Sequence, residues 1–290
     1  MVIKFLILLF GELACSSAVI FIKASHEHPI LLAAYRLFVA AIALTPAYIS
    51  AMRAQPEYRI LRGLRQAFLP GALLALHFIS WIIGARMTPS ANASLIVNLV
   101  PVVMPVFLIV MFRESLTRAE LVGTIVAMSG TAMLFVTDFN LSRAYFLGDA
   151  VCFLSMLFFG FYLILARKNR QNGSIWLYVV PVYAIAGVIC FVIALAFVSP
   201  IKPYTLGDIA IIAALGLIPT VVGHSILNYS MLHVRSQVVS IMSLTQFIFA
   251  GISGYFFFRE IPDRMFYVVS LLVCAGSLIS FDLFANRAKR

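Results

Sequence analysis

The feature that most constrains this chain is a succession of apolar runs, each long enough to cross a lipid bilayer. A membrane-spanning helix needs about 20 mostly apolar residues. Ten such runs are separated by proline, glycine or charged residues, at about 3–22, 30–50, 67–86, 90–111, 119–137, 146–166, 175–198, 207–229, 236–257 and 265–284. Apolar residues surround each segment on every face, which is typical of helices embedded in lipid. The sequence therefore predicts an all-α polytopic membrane protein with ten transmembrane helices.

Composition excludes the soluble classes of protein. Apolar residues make up 63% of the 290 residues and charged residues 11%, whereas soluble domains average about 45–50% and about 25%. A transmembrane β-barrel is excluded because it would show alternating segments of about 10 residues. We therefore expect the lipid bilayer as a partner and no nucleic acid, since the lysines and arginines lie in short clusters between apolar runs.

The loop charges predict the orientation of the chain. With the N-terminus in the cytoplasm, 14 lysines and arginines fall on the cytoplasmic side and 6 on the opposite side, as the positive-inside rule requires. Glu12 interrupts the first run where a signal-peptide cleavage box would carry an aliphatic residue. We therefore expect a retained first helix, both termini in the cytoplasm and a multi-pass location in the cell inner (plasma) membrane.

Sites for catalysis, metals and cofactors are not indicated. Cys15, Cys152, Cys190 and Cys274 all lie inside apolar runs and none forms a C-x-x-C pair, so neither a disulfide framework nor a zinc site is expected. No phosphate-binding Gly-x-x-x-x-Gly-Lys-Ser/Thr loop is present. We expect no cofactor, no metal and no catalytic residue.

The chain repeats itself. With a shift of 146 residues, 7 of the 25 positions in 111–135 match those in 257–281, including the tripeptide Phe-Arg-Glu at 112–114 and 258–260. The sequence thus predicts two repeats, 1–140 and 141–290, of five helices each. Because five is odd, the second repeat is inverted in the membrane. Inverted repeats are typical of secondary transporters, in which the two halves exchange conformations to open on alternate sides.

These motifs resemble a known family. Gly11-Glu12 and Gly148-Asp149 each lie in the first span of a half, residues 35–38 read Tyr-Arg-Leu-Phe in the second span, and Gly130 and Gly276 lie within the spans that follow the Arg-Glu turns. Together with the five-plus-five organisation, they resemble the EamA family of the drug/metabolite transporter superfamily over nearly the whole chain. The resemblance implies export of amino acids and other metabolites. Length and aromatic-rich spans are most similar to the aromatic amino acid exporters of that family.

Polar side chains within the third and eighth spans are candidate substrate ligands. His77 and Trp81 share one face of the third span, and His224 and Asn228 share one face of the eighth. His77 and His224 lie one repeat apart, which favours two faces that meet at a central cavity. The alternative is that each histidine only forms a hydrogen bond to a neighbouring helix.

The fourth and ninth spans supply further candidates. Asn98 and Pro101 lie on one stripe of the fourth span, where proline should kink the helix and free a backbone carbonyl. Ser243 and Gln246 are three residues apart in the ninth span. These side chains either bind substrate or form hydrogen bonds between helices.

Glu12 and Arg36 are the charges buried within spans. Each alone would cost about 2.5–3.5 kcal/mol in the bilayer, so we expect them to form an ion pair. Three interpretations are open: a structural pair, a site where a substrate carboxylate replaces Glu12 on Arg36, or a proton-coupling role for Glu12.

These features predict a secondary transporter that exports small metabolites by alternating access through a central cavity. We expect a monomer whose substrate is an amino acid, with aromatic ones preferred. Trp81 and His77 would contact the ring, and Asn98 and Gln246 the amino and carboxyl groups. Two alternatives are an intramembrane lipid-modifying enzyme and a channel-like pore.

Overall fold

The computed structural model describes residues 2–139, 145–168 and 174–285, which are helical almost throughout. The α-helices are α1 (Val2–Ser16), α2 (Ala18–Ala24), α3 (Pro29–Ala54), α4 (Ile60–Met87), α5 (Ser90–Val97), α6 (Val100–Phe112), α7 (Arg118–Phe139), α8 (Phe146–Lys168), α9 (Trp176–Ala194), α10 (Leu206–Leu215), α11 (Ser225–His233), α12 (Ser236–Ser243), α13 (Gln246–Phe258) and α14 (Arg264–Ala285). A π-helix, Gly216–His224, joins α10 to α11.

The helices form ten spans, which confirms the sequence prediction. Nine stretches of the described chain are long and apolar enough to cross a membrane, and the 22-residue α7 packs along α14 as a tenth. We number the spans 1 to 10 in chain order. Span 1 is α1 with α2, span 4 is α5 with α6, span 8 is α10 with the π-helix and α11, and span 9 is α12 with α13. The polar segment before span 3 is helical from Ile60, earlier than the predicted start near residue 67.

Each span of the first half packs against a span of the second half. Spans 2, 4 and 5 lie against their repeat counterparts, spans 7, 9 and 10. Span 3 packs on span 6, and its counterpart, span 8, packs in the same way on span 1. The halves are therefore interlocked around a pseudo-two-fold relation. The predicted boundary between residues 140 and 141 lies outside the described residues.

The repeated Phe-Arg-Glu tripeptide forms the same turn in both halves. Arg113 and Arg259 both adopt left-handed backbone, with φ of 54° and 59°. The N–H of Glu114 then donates to the carbonyl of Leu108, and the N–H of Glu260 to that of Gly254. This pattern is a Schellman motif, which ends a helix and satisfies its last carbonyls. It ends span 4 at one face of the bundle and span 9 at the opposite face.

Glycines let span 3 approach span 6 closely, and span 8 approach span 1 closely. A Cβ atom added to Gly84 of span 3 would lie 2.6 Å from the sulfur of Cys152 in span 6. In the other half, a Cβ on Gly223 of span 8 would lie 2.5 Å from the sulfur of Cys15 in span 1. The same glycine–cysteine contact is thus built twice, and it brings the polar faces of these spans together.

Spans 4 and 9 are broken at equivalent positions. Span 4 is interrupted at residues 98–99 and span 9 at residues 244–245, which are related by the same 146-residue shift. The predicted proline effect is confirmed in span 4. Pro105 has no N–H to donate to the Pro101 carbonyl, and the amide of Gln237 in span 9 donates to that carbonyl instead, at 3.2 Å.

Candidate functional site

A fully buried arginine lies at the centre of the bundle. Arg36 of span 2 is 0% exposed. Its Nε and Nη2 donate to Oγ1 of Thr220, at 3.0 and 2.9 Å. Its guanidinium carbon lies 3.9 Å from the ring centroid of Phe78 in span 3. Nη1 is buried without a hydrogen-bond partner, and within the described chain no carboxylate forms an ion pair with Arg36.

The π-helix of span 8 places the partner of Arg36. The Thr220 hydroxyl accepts both bonds from Arg36 and donates its own proton to the carbonyl of Leu215, at 2.9 Å. Tyr183 of span 7 donates to the backbone carbonyl of Thr220, at 3.4 Å. A π-helix is rare and is frequently found at functional sites. Here it directs Thr220 and His224 of one span toward the same buried arginine.

Aromatic rings surround this arginine. The centroid of the His224 ring lies 5.1 Å from that of Phe78 and 5.7 Å from that of Phe159. The His77 ring stacks on Phe159 at 4.6 Å and lies 6.3 Å from the His224 ring. We call Arg36, Thr220, Phe78, His224 and Phe159 the arginine cluster. The predicted meeting of the two histidine faces across the repeat is therefore present in the structure.

Glu12 does not pair with Arg36, which corrects the expected ion pair. The carboxylate of Glu12 is 0% exposed and accepts from the hydroxyl of Ser243, at 2.9 Å, and from the amide of Gln246, at 2.6 Å. The physical reason is helix rotation: span 1 directs Glu12 toward the break in span 9, whereas Arg36 faces the π-helix. Each charge thus has its own hydrogen-bonding partners. We call Glu12, Ser243 and Gln246 the glutamate cluster.

The two clusters are neighbours. Cys15, one helical turn after Glu12, lies with its sulfur 3.8 Å from the carbonyl of Pro219, which directly precedes Thr220. An acid and a base are therefore both buried near the middle of the bundle without touching each other. Such a pair can bind the two ends of a zwitterion.

The other predicted site residues have structural contacts of their own. The hydroxyl of Ser155 in span 6 lies 2.8 Å from His77 Nδ1. The Ser155 hydroxyl donates its only proton to the His77 carbonyl. In the contact with the His77 ring, Nδ1 is therefore the donor and the Ser155 hydroxyl oxygen is the acceptor. The side-chain amide of Asn228 donates to the Tyr162 hydroxyl and to the His224 carbonyl, both at 2.6 Å. The alternative interpretation, hydrogen bonding between helices, therefore applies to His77.

Asn98 lies at the break in span 4. Its amide donates to the carbonyl of Ser94 at 2.8 Å, and its Oδ1 is buried without a partner. The same is true of Oδ1 of Asn228. Trp81 is 7% exposed and belongs to the apolar core. The structure brings His77 and His224 to the arginine cluster, and Ser243 and Gln246 to Glu12. It places Pro101 in the span 4–span 9 contact described above.

Sequence reasoning missed two residues of the arginine cluster and one residue of the contact between spans 4 and 9. Phe78 and Phe159 are ordinary apolar residues of their spans, and no sequence pattern marks a phenylalanine that packs on an arginine. Gln237, whose amide also donates to the Thr124 hydroxyl at 2.8 Å, could have been found. A fully buried glutamine in a transmembrane helix is uncommon and usually faces the bundle interior.

Comparisons with known proteins match this architecture. The sequence profile of the EamA-like transporter family matches the chain twice, at residues 3–136 and 146–281. No curated protein matches the sequence. A solved structure, described only as a crystal structure of a protein, is similar with a TM-score of 0.73 at 16% sequence identity. The match covers 97% of this chain and 98% of that one, so the likeness shows a common fold along nearly the full length.

Proposed function

Because the chain belongs to the EamA-like transporter family, we propose that it exports amino acids by alternating access, with aromatic ones preferred. The membrane would be the inner (plasma) membrane, with both termini in the cytoplasm. The observation that carries the proposal is the unpartnered Nη1 of Arg36. A charge buried in a membrane protein is expensive and normally paired, and among the described residues this one has no acidic partner.

A substrate carboxylate would supply the missing partner. Arginine binds carboxylates through two parallel N–H bonds and stays charged when buried. Nη1 is free, and Nη2 is held only by a neutral hydroxyl that a carboxylate can displace. The family transports small metabolites, and a carboxylate is the group common to all amino acids. Arg36 is therefore proposed as the ligand of that group.

The glutamate cluster would bind the ammonium group. Glu12 accepts hydrogen bonds from two neutral side chains, and among the described residues its carboxyl has no cationic partner. Asn98, Asn228, Ser243 and Gln246 would complete the polar wall around the head group. These assignments are proposals that rest on the proximity of the two clusters through Cys15 and Pro219.

The rings around Arg36 support an aromatic preference. The ring centroids of Phe78 and Phe159 each lie within 6 Å of the ring centroid of His224, and aromatic contacts add about 0.5–1.5 kcal/mol beyond area burial. His77 and Trp81, on the same span as Phe78, would extend this wall. A substrate ring between them would replace ring–ring contacts that the closed protein now makes with itself.

Efflux from proteoliposomes tests the proposal. Vesicles preloaded with labelled phenylalanine should lose it at a saturable rate. Phenethylamine, which lacks the carboxylate, should leave at least tenfold more slowly, because a charge-assisted bond contributes about 1.5–3 kcal/mol. In Arg36→Gln the rate for phenylalanine should fall to that of phenethylamine. Arg53→Gln serves as a matched control, since Arg53 is an exposed arginine near the end of the same helix.

Three results would contradict this assignment. Equal loss of both compounds from wild-type vesicles would show that the carboxylate is not recognised. Efflux that does not saturate and shows no trans-stimulation would favour a channel-like pore. Chemical change of lipid in the vesicles, in place of transport, would favour an intramembrane enzyme.

A further inference from the structure

Every ion pair in the described part of the chain joins the first half to the second. Two lie at the face where span 4 ends and two at the opposite face, where span 9 ends. They are Glu114–Arg167 and Glu120–Arg235 at the first face, and Glu260–Lys23 and Glu27–Lys202 at the second. Ion pairs within a half are absent from these residues, so charge is used to hold the two halves together at both ends.

One pair at each face is built on the repeated tripeptide. Glu114 lies 2.6 Å from Nη2 of Arg167, whose guanidinium carbon is 4.6 Å from the ring centroid of Phe112. We call these three residues the span-4 clasp. At the other face, Glu260 lies 2.6 Å from Nζ of Lys23, which is 5.9 Å from the ring centroid of Phe258. We call these the span-9 clasp.

The two clasps are the same device used at opposite ends. In each, the phenylalanine and glutamate come from the turn that ends a broken span. The cation comes from the last turn of the first span of the other half, α8 for Arg167 and α2 for Lys23. Both clasps are engaged, and the arginine cluster between them is almost inaccessible to solvent. The structure is therefore closed at both ends.

We propose that the two clasps are the gates of the transport cycle, each opening access to the arginine cluster from its own face, and only one at a time. A carrier with a central site must separate its halves at one end while they stay joined at the other. Glu114, Arg167, Glu260 and Lys23 are then positioning residues for transport, not ligands of the substrate. The inference rests on the alternating-access part of the proposed function and not on the substrate.

The span-9 clasp holds more of the structure than the span-4 clasp. Glu260 also accepts from the backbone N–H of Ser90, at 2.8 Å, and so ties the start of span 4 to the ends of spans 1 and 9. The side chain of Glu114 is 35% exposed against 28% for Glu260. We therefore expect the span-4 clasp to open more readily.

Labelling of one buried cysteine from each face tests the gates. In a variant with all four native cysteines replaced by alanine, Ser225→Cys puts a thiol beside His224, at a position 7% exposed. An impermeant maleimide is added to right-side-out or to inverted membrane vesicles. Glu114→Gln should raise the labelling rate about fivefold from the face of the span-4 clasp, because loss of a partly exposed ion pair shifts a two-state equilibrium by about that factor. Glu260→Gln should raise it only from the other face.

Matched variants separate gating from damage to the fold. Glu57→Gln removes an exposed acid that forms no ion pair within the described residues, and it should leave labelling unchanged. The exchange Glu260→Lys with Lys23→Glu should restore protection. Labelling that increases from both faces in either variant, or from neither in both, would overturn the proposal. The experiment uses no substrate, so a wrong assignment of the substrate would not alter its result.

Discussion

At the scale of single residues, the two buried charges depend on neutral partners. Arg36 is held by the hydroxyl of Thr220 and the ring of Phe78, and Glu12 by Ser243 and Gln246. Neutral partners satisfy the hydrogen-bonding groups without cancelling the charge. Each charge therefore stays available to a ligand of opposite sign.

A double-mutant cycle measures how these residues interact. Glu12→Gln and Gln246→Leu should show a coupling of about 1–3 kcal/mol in the free energy of unfolding, because the two side chains share a buried charged hydrogen bond. Glu12→Gln and Arg36→Gln should couple by less than about 0.5 kcal/mol, because the residues do not touch. Thermal unfolding in one detergent gives both values. A larger coupling for Glu12 with Arg36 than with Gln246 would contradict the structure.

Residue identities in the site were largely predictable, whereas their pairing was not. A polar group within a span must face the bundle interior, and this rule selected Glu12, Arg36, His77, His224 and Gln246. Which two of them meet depends on the rotation of each helix, which apolar sequences encode weakly. The predicted ion pair was wrong for this reason.

At the scale of helices, two glycine–cysteine contacts set the distance between the two halves of the bundle. Gly84 packs on Cys152, and Gly223 on Cys15, with backbone atoms of the cysteines also within 3.0 Å of the missing Cβ. Backbone cannot move aside as a flexible side chain can. These contacts fix how closely spans 3 and 8 lie against spans 6 and 1.

Alanine at either glycine should force the spans apart. Gly84→Ala and Gly223→Ala should each lower the melting temperature by about 3–10 °C, because overpacking costs about 1–3 kcal/mol. The control is Gly207→Ala, since a Cβ there would meet nothing closer than 3.6 Å. Scanning fluorimetry of the three purified variants decides the point. A melting temperature for Gly223→Ala equal to that of the control would show that spans 1 and 8 lie further apart.

Apart from the start of span 3, the helices themselves were predictable to within a few residues, because length and hydropathy define a span. The interruptions were only half predictable. Two prolines, Pro101 and Pro105, indicate the irregularity of span 4, but span 9 breaks at Leu244–Thr245 with no proline at all. Span 9 packs against span 4 along its length, and packing across the repeat is not encoded in local sequence. The π-helix of span 8 was missed, although Pro219 within it is a local signal of an irregular helix.

At the scale of the whole molecule, the charge of Glu260 links closure at one face to pH. Burial raises the pKa of its carboxyl, but hydrogen bonds from Lys23 and from the N–H of Ser90 outweigh burial and hold the pKa below its ordinary value of 4.5. Because the pKa of Glu260 is lower when the clasp is closed than when it is open, ionised Glu260 fully stabilises the clasp at pH values above its ordinary pKa. That stabilisation is lost as pH falls through the lower, clasped value.

Acid should therefore open the face of the span-9 clasp. Spin labels at Leu206→Cys and Ile261→Cys, both exposed at that face, would report the opening in a variant without native cysteines. Electron–electron double resonance should show one short distance at pH 7 and a second, longer one below about pH 4.5. Glu260→Gln should show the longer distance at both pH values. A distance distribution that is the same at both pH values in the unmodified clasp would contradict this linkage.

The interlocked halves have a consequence for how the protein is made. The partner of Arg36 lies 184 residues later in the chain, and those of Glu12 lie 231 and 234 residues later. Since a membrane protein is inserted as it is synthesised, the first five helices enter the bilayer before the second-half spans against which they pack. During that interval Arg36 lacks Thr220, and Glu12 lacks Ser243 and Gln246. The newly inserted first half therefore holds two buried polar side chains whose hydrogen-bonding partners are added only when the second half is inserted.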